Sequence, residues 1–153
     1  MEAILEGSFR SVQFYAIAQR WKTELDFFIS EAKFLHDLFE TYESIYFSHF
    51  FREMIRGMDQ QLSKLESRYH KIDKALTLQL KVLELMVGGA VKENTGHLES
   101  RQIKLENCVA ALHAEARELK KSLFAFVELA KGCDGAFSMG CQPGGPSVER
   151  LAT

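Results

Sequence analysis

The stretch FYAIAQRWKTELDFFISEAKFLHDLFETYESIY, Phe14 to Tyr46, decides the fold. Its apolar side chains recur at Phe14, Ala18, Trp21, Leu25, Phe28, Ala32, Leu35, Phe39, Tyr42 and Tyr46, in alternating steps of four and three. A half-buried strand would space them two apart. Steps of four and three instead keep them on one stripe of a helix, and an unbroken run of such steps is a coiled-coil-like seam. Ile17, Phe27, Phe34, Leu38 and Ile45 widen the stripe on one flank, whereas Lys22, Lys33, His36, Glu40 and Glu43 keep the other flank polar. A face this broad packs against two neighbours rather than one.

Downstream, the register continues through Phe51, Ile55, Met58, Leu62, Leu65, Tyr69, Ile72, Leu76, Gln79, Leu83 and Met86, with Gln79 as its single polar member. The turn between the first two helices is placed between Tyr46 and Phe51, in YFSHFF. Gly57 followed by Asp59 is the alternative, as a C-cap and N-cap pair. Residues 75 to 87, ALTLQLKVLELMV, alternate in part like a strand, but leucine outnumbers β-branched residues and the register runs straight through, which favours helix. Gly88 and Gly89 supply a stop, and GGAVKENTGH reads as a connecting loop. A third helix shows Leu98, Leu105, Val109, Leu112, Ala116, Leu119, Leu123, Phe126 and Ala130 before Gly132.

Helices over residues 9–46, 50–87 and 97–131, joined by short loops, predict an all-α domain spanning residues 1–132. Its simplest architecture is an antiparallel up-down-up three-helix bundle. Leu25, Phe28, Leu35, Leu65, Ile72, Leu83, Leu112 and Leu119 hold seam positions and are expected in the core. The start of helix 1, Phe14 to Phe28, should lie beside the apolar end of helix 2, and Phe124, Phe126 and Val127 should cover Phe47, Phe50 and Phe51. The only prolines are Pro143 and Pro146, in the Gly/Pro/Ser-rich residues 133–153, which lack periodicity and are expected to form a disordered tail.

Composition narrows the function classes. A chain of 153 residues is one domain by length, and its apolar (46%) and charged (26%) shares are those of ordinary globular proteins. The net charge is −2 with both signs interspersed, so no basic face stands ready to neutralise phosphates and nucleic-acid binding is not expected. Cys108, Cys133 and Cys141 include no CxxC pair, and neither a disulfide framework nor a zinc site is indicated. The start MEAILEGSFRSVQF carries acidic residues where a secretory signal carries positive charge, and no apolar run is long enough to span a bilayer; a cytoplasmic protein is expected.

The pattern WKTELDFFISEAKFLHDLFETY, Trp21 to Tyr42, resembles a group of small, uncharacterised helical proteins of Bacteroidetes in which W-x-x-E-x-x-F-x-x-x-E-x-x-F-L-x-x-L-x-x-x-Y opens the chain. It covers about a seventh of the sequence. The resemblance implies a helical origin and an end of helix 1 soon after Tyr42, and it implies nothing about sites.

Helical bundles become metalloenzymes by placing carboxylates and Glu-x-x-His pairs in the core. Here no Glu, Asp or His holds a seam position and no Glu-x-x-His occurs. His36 with Glu40, His49 with Glu53 and Glu66 with His70 are spaced by four, a surface pairing. Cys108 lies beside the seam and is expected as a small core residue, and no glycine-rich loop has the spacing of a phosphate cradle. No catalytic, cofactor-binding or metal-ligating residue is therefore assigned, nor any small-molecule substrate, and the chain is expected to be non-enzymatic.

Thirteen of the seventeen aromatic residues fall between Phe9 and Phe51. They either fill the core against the smaller side chains of helices 2 and 3, the favoured reading, or form an exposed patch for a partner, with Phe27, Phe34, Leu38 and Phe50 the candidates. The expected function is a helical scaffold or interaction module that self-associates or binds a helical partner. The alternatives are a ligand- or metal-binding bundle and a peripheral membrane protein, the latter opposed by the eight acidic against four basic residues of positions 1 to 50.

Overall fold

The computed structural model describes residues 2–46, 48–90 and 95–132. They form three helices, α1 (Glu2–Ile45), α2 (His49–Val87) and α3 (Thr95–Gly132), and include no strand. The expected tail, residues 133–153, lies outside the described residues, as does Phe47. Helix α1 starts at Glu2 rather than near residue 9. Gly7 costs a helix interior about 1 kcal/mol, which the good helix formers around it offset.

The first turn falls at residues 46–48, within the expected window, and Gly57 lies inside α2. The Tyr46 N–H donates to the Tyr42 carbonyl at 3.0 Å and closes α1, while the Ser48 carbonyl accepts the Arg52 N–H at 3.0 Å, which is the bonding of an N-cap residue. Arg52 Nε reaches back to the Glu43 carbonyl at 3.3 Å, and Arg56 Nε donates to the Glu43 carboxylate at 2.9 Å. A turn with neither Gly nor Pro is thus tied by two arginines of α2 to the carbonyl end of α1, where helical acceptors run out of internal donors. At the other end of α2, Gly89 takes φ 78°. Its N–H donates to the Met86 carbonyl at 3.1 Å and the Ala90 N–H to the Leu85 carbonyl at 2.9 Å, the paired bonds of a Schellman stop.

Contacts group the described residues into two compact units, residues 2–31 with 66–114, and 32–65 with 115–132. Each draws on all three helices. In the first unit Lys22 meets Asp73 and Phe28 meets Tyr69, so α1 and α2 are antiparallel. Arg10 with Glu99 and Glu24 with His113 show α1 and α3 running the same way. In the second unit His36 pairs with Asp59 and Glu43 with Arg56, again antiparallel, and Phe126 of α3 packs on Tyr42 and Tyr46. The fold is the antiparallel up-down-up three-helix bundle that the heptad seams predict.

The eight residues expected in the core are all buried, none more than 8% exposed. Three polar side chains share the seams: Ser11, Gln79 and Gln102. In the first unit Gln79 Nε2 donates to Gln102 Oε1 at 3.1 Å, and Gln102 Nε2 donates to the Phe14 carbonyl at 3.4 Å, a chain of amides that touches all three helices. A polar layer of this kind stabilises one register over slipped alternatives, because a slip buries the amides without partners.

Two expectations need correction. Phe124 is 65% exposed and does not join the described aromatic cluster, where Phe126 meets Phe51; Val127 is half-buried. Cys108 is exposed rather than a core residue, because it sits one position before the seam residue Val109 and faces outward. The start of α1 does lie beside the end of α2, as expected, with Leu76 and Leu83 buried there, although Leu78, Leu85 and Val87 remain exposed.

Candidate interaction surface

Position relative to the seam decides which aromatics are core and which are surface. In the second unit Phe39, Phe51 and Phe126 are almost fully buried, with the Phe51 and Phe126 rings edge to face at 5.6 Å and Tyr46 against both. Offset and edge-on ring pairs each add about 0.5–1.5 kcal/mol beyond area burial. One step before a seam position the outcome reverses. Phe34 precedes buried Leu35 and is 64% exposed; Phe50 precedes buried Phe51 and is 46% exposed, resting edge-on against it. Leu38 precedes Phe39 but leans onto the flank of the stripe and is half-buried.

The first unit repeats the rule. Phe27 precedes buried Phe28 and is 70% exposed, and Leu78 and Leu85 precede Gln79 and Met86 with their side chains in solvent. Phe9 and Ile103 are exposed as well. The aromatic surplus is therefore divided: the seam rings belong to the core and the rings one step away belong to the surface. The same one-step test applied to α2 and α3 would have flagged Leu78, Leu85 and Cys108 from the sequence.

The charged groups around these rings are mostly arranged in pairs. Lys22 lies between Asp26 at 3.5 Å and Asp73, and the hydrogen bond to the Asp73 carboxylate holds the Lys22 ammonium above the ordinary lysine range. Beside it, burial raises the Tyr69 hydroxyl above the usual phenol value. In the second unit the Glu43 carboxylate raises the Arg56 guanidinium further above its already high range. His36 bonds Asp59 and His113 lies 3.2 Å from Glu24, so both imidazoles face a carboxylate on another helix. Among the described residues no group of three or more His, Cys, Asp and Glu side chains converges as a metal site would require, and no helix is long and apolar enough to cross a membrane.

Comparison of the chain with protein-family models, curated proteins and solved structures yields no match in any of the three.

Proposed function

We propose that the protein is a non-enzymatic helical interaction module that associates with a second copy of itself through apolar side chains standing one position off the heptad seams. The observation that carries this reading is the exposure of Phe27 and Phe34, at 70% and 64%. Each ring stands on a helix that needs neither for its own packing, because the seams beneath them are already closed by Phe28 and Leu35. Full burial of a phenylalanine side chain contributes about 1.5–3 kcal/mol, which two such rings multiply in a symmetric interface that uses each twice. Aromatic anchors with paired charges at the rim are the usual anatomy of such a surface. The sequence neighbours of the rings carry both signs, Asp26 and Glu31 with Lys33, which fits a protein surface better than a membrane of one charge sign.

The double substitution Phe27→Ser with Phe34→Ser tests the proposal. Association should weaken by about tenfold or more, the loss expected for at least one buried ring, while the helical circular dichroism signal stays intact. Loss of helical signal in the variant would place the rings in the fold of the monomer and remove the basis of the proposal.

A further inference from the structure

In the first unit, the groove between α2 and α3 has a composition that the interaction surface does not use. It encloses about 300 Å³, the lower end of the roughly 300–1,000 Å³ range of small-molecule sites. Its floor is apolar, made by Ile72, Ala75 and Leu105, and its rim carries Lys71, Arg101 and Lys104 with no acidic residue in the lining. None of the three cations has a carboxylate within ion-pair distance among the described residues, in a chain where Arg10, Lys22, Arg56 and Lys121 all do. Three unpaired positive charges around an apolar floor repel one another, and an anion relieves that repulsion.

A second observation is independent of charge. Gln79 lines the same groove and is only 1% exposed, and its Oε1 is buried with no hydrogen-bond partner, while its Nε2 is committed to Gln102. Buried polar atoms are nearly always satisfied, so an orphaned acceptor at the wall of a cavity marks a place where a donor is missing. The groove between α1 and α3 in the same unit provides the contrast. It is of similar volume, about 350 Å³, but its lining holds Glu99 and Glu106 together with Arg20, so it selects no charge sign.

We infer that the α2–α3 groove binds a small amphipathic anion, with a short apolar body over Ile72, Ala75 and Leu105 and a carboxylate or similar head held by Lys71, Arg101 and Lys104. The long, flexible cations close over the head from both helices. The floor excludes water from the body, and a water accompanying the anion donates to the Gln79 acceptor. A second helix is too wide for a cavity of this volume, since a helix with side chains is about 10 Å across.

Octanoate is the probe, with n-octylamine as its cationic counterpart. Cys108 lines the groove and reports occupancy without taking part in it. Its alkylation by iodoacetamide, followed on the peptide that contains it, should slow about tenfold at saturating octanoate and stay unchanged with octylamine, the discrimination expected of a charge-assisted contact. The exposed pair Lys71→Gln with Lys104→Gln should need about tenfold more octanoate for the same protection, with an unaltered circular dichroism spectrum. Vesicles of phosphatidylglycerol in phosphatidylcholine separate a lipid headgroup from the free anion: protection by the vesicles but not by octanoate overturns the inference. Equal protection by octanoate and octylamine, no protection by either, or protection indifferent to the two lysine changes overturns it as well.

Discussion

Truncating Phe126 to alanine removes a side chain with no exposed surface whose ring centre lies 5.9, 5.6 and 5.6 Å from those of Tyr42, Tyr46 and Phe51. Loss of a buried phenylalanine costs about 3–5 kcal/mol through lost transfer energy and the cavity left behind. Tyr46 and Phe51 already touch at 5.4 Å and can close part of that cavity, so the lower half of the range is expected. For a domain of this size that is a fall in Tm of about 6–16 °C, at about 2–4 °C per kcal/mol. Phe124→Ala, two residues away, removes a ring that is 65% exposed and should change stability by no more than about 0.5 kcal/mol. Urea unfolding followed by helical circular dichroism compares the two directly. Equal costs for the two variants, or a Phe126→Ala cost below about 1 kcal/mol, would refute the assignment of these rings to core and surface.

Gln79→Leu alone leaves the Gln102 Oε1 without its donor and should destabilise by about 1–3 kcal/mol, whereas Gln79→Leu with Gln102→Leu should be near neutral or stabilising; urea midpoints of the three proteins decide this. Gly89→Ala forces a side chain into the left-handed region and should cost about 1–2 kcal/mol, while Gly57→Ala, helical with open space around it, should gain about 0.5–1 kcal/mol in the same assay. Lys22 and Tyr69 both titrate higher in the fold than in the unfolded chain, so their contribution is complete below their ordinary values near pH 10 and is lost as the pH rises through the folded values. Thermal melts should therefore fall above pH 10 in the native protein, and fall less in Lys22→Gln.

The seam made most of the fold legible, because burial in a bundle follows the register and little else. Leu25, Leu83 and Leu112 were placed correctly by counting alone. Residue type misleads where it disagrees with the register. Their apolar character suggests Cys108 as a core residue and Phe124 as a cover for the aromatic turn, although each stands one position off the seam and is exposed. Gln102 is polar and yet buried, because it is the step of the seam between Leu98 and Leu105. The first turn has no local signal of its own, since the arginines that hold it, Arg52 and Arg56, reach Glu43 across two helices. The α2–α3 groove was invisible for a related reason: Lys71 and Arg101 are thirty positions apart in sequence and become neighbours only when α2 and α3 lie side by side.

The mass of the native protein in solution tests the central proposal most directly. Light scattering coupled to size-exclusion chromatography, run across a range of loading concentrations, should give a mass that climbs from the 17.4 kDa of one chain towards twice that value. In Phe27→Ser with Phe34→Ser it should stay at the single-chain value. A native protein that remains at 17.4 kDa at every concentration would contradict self-association through the exposed rings.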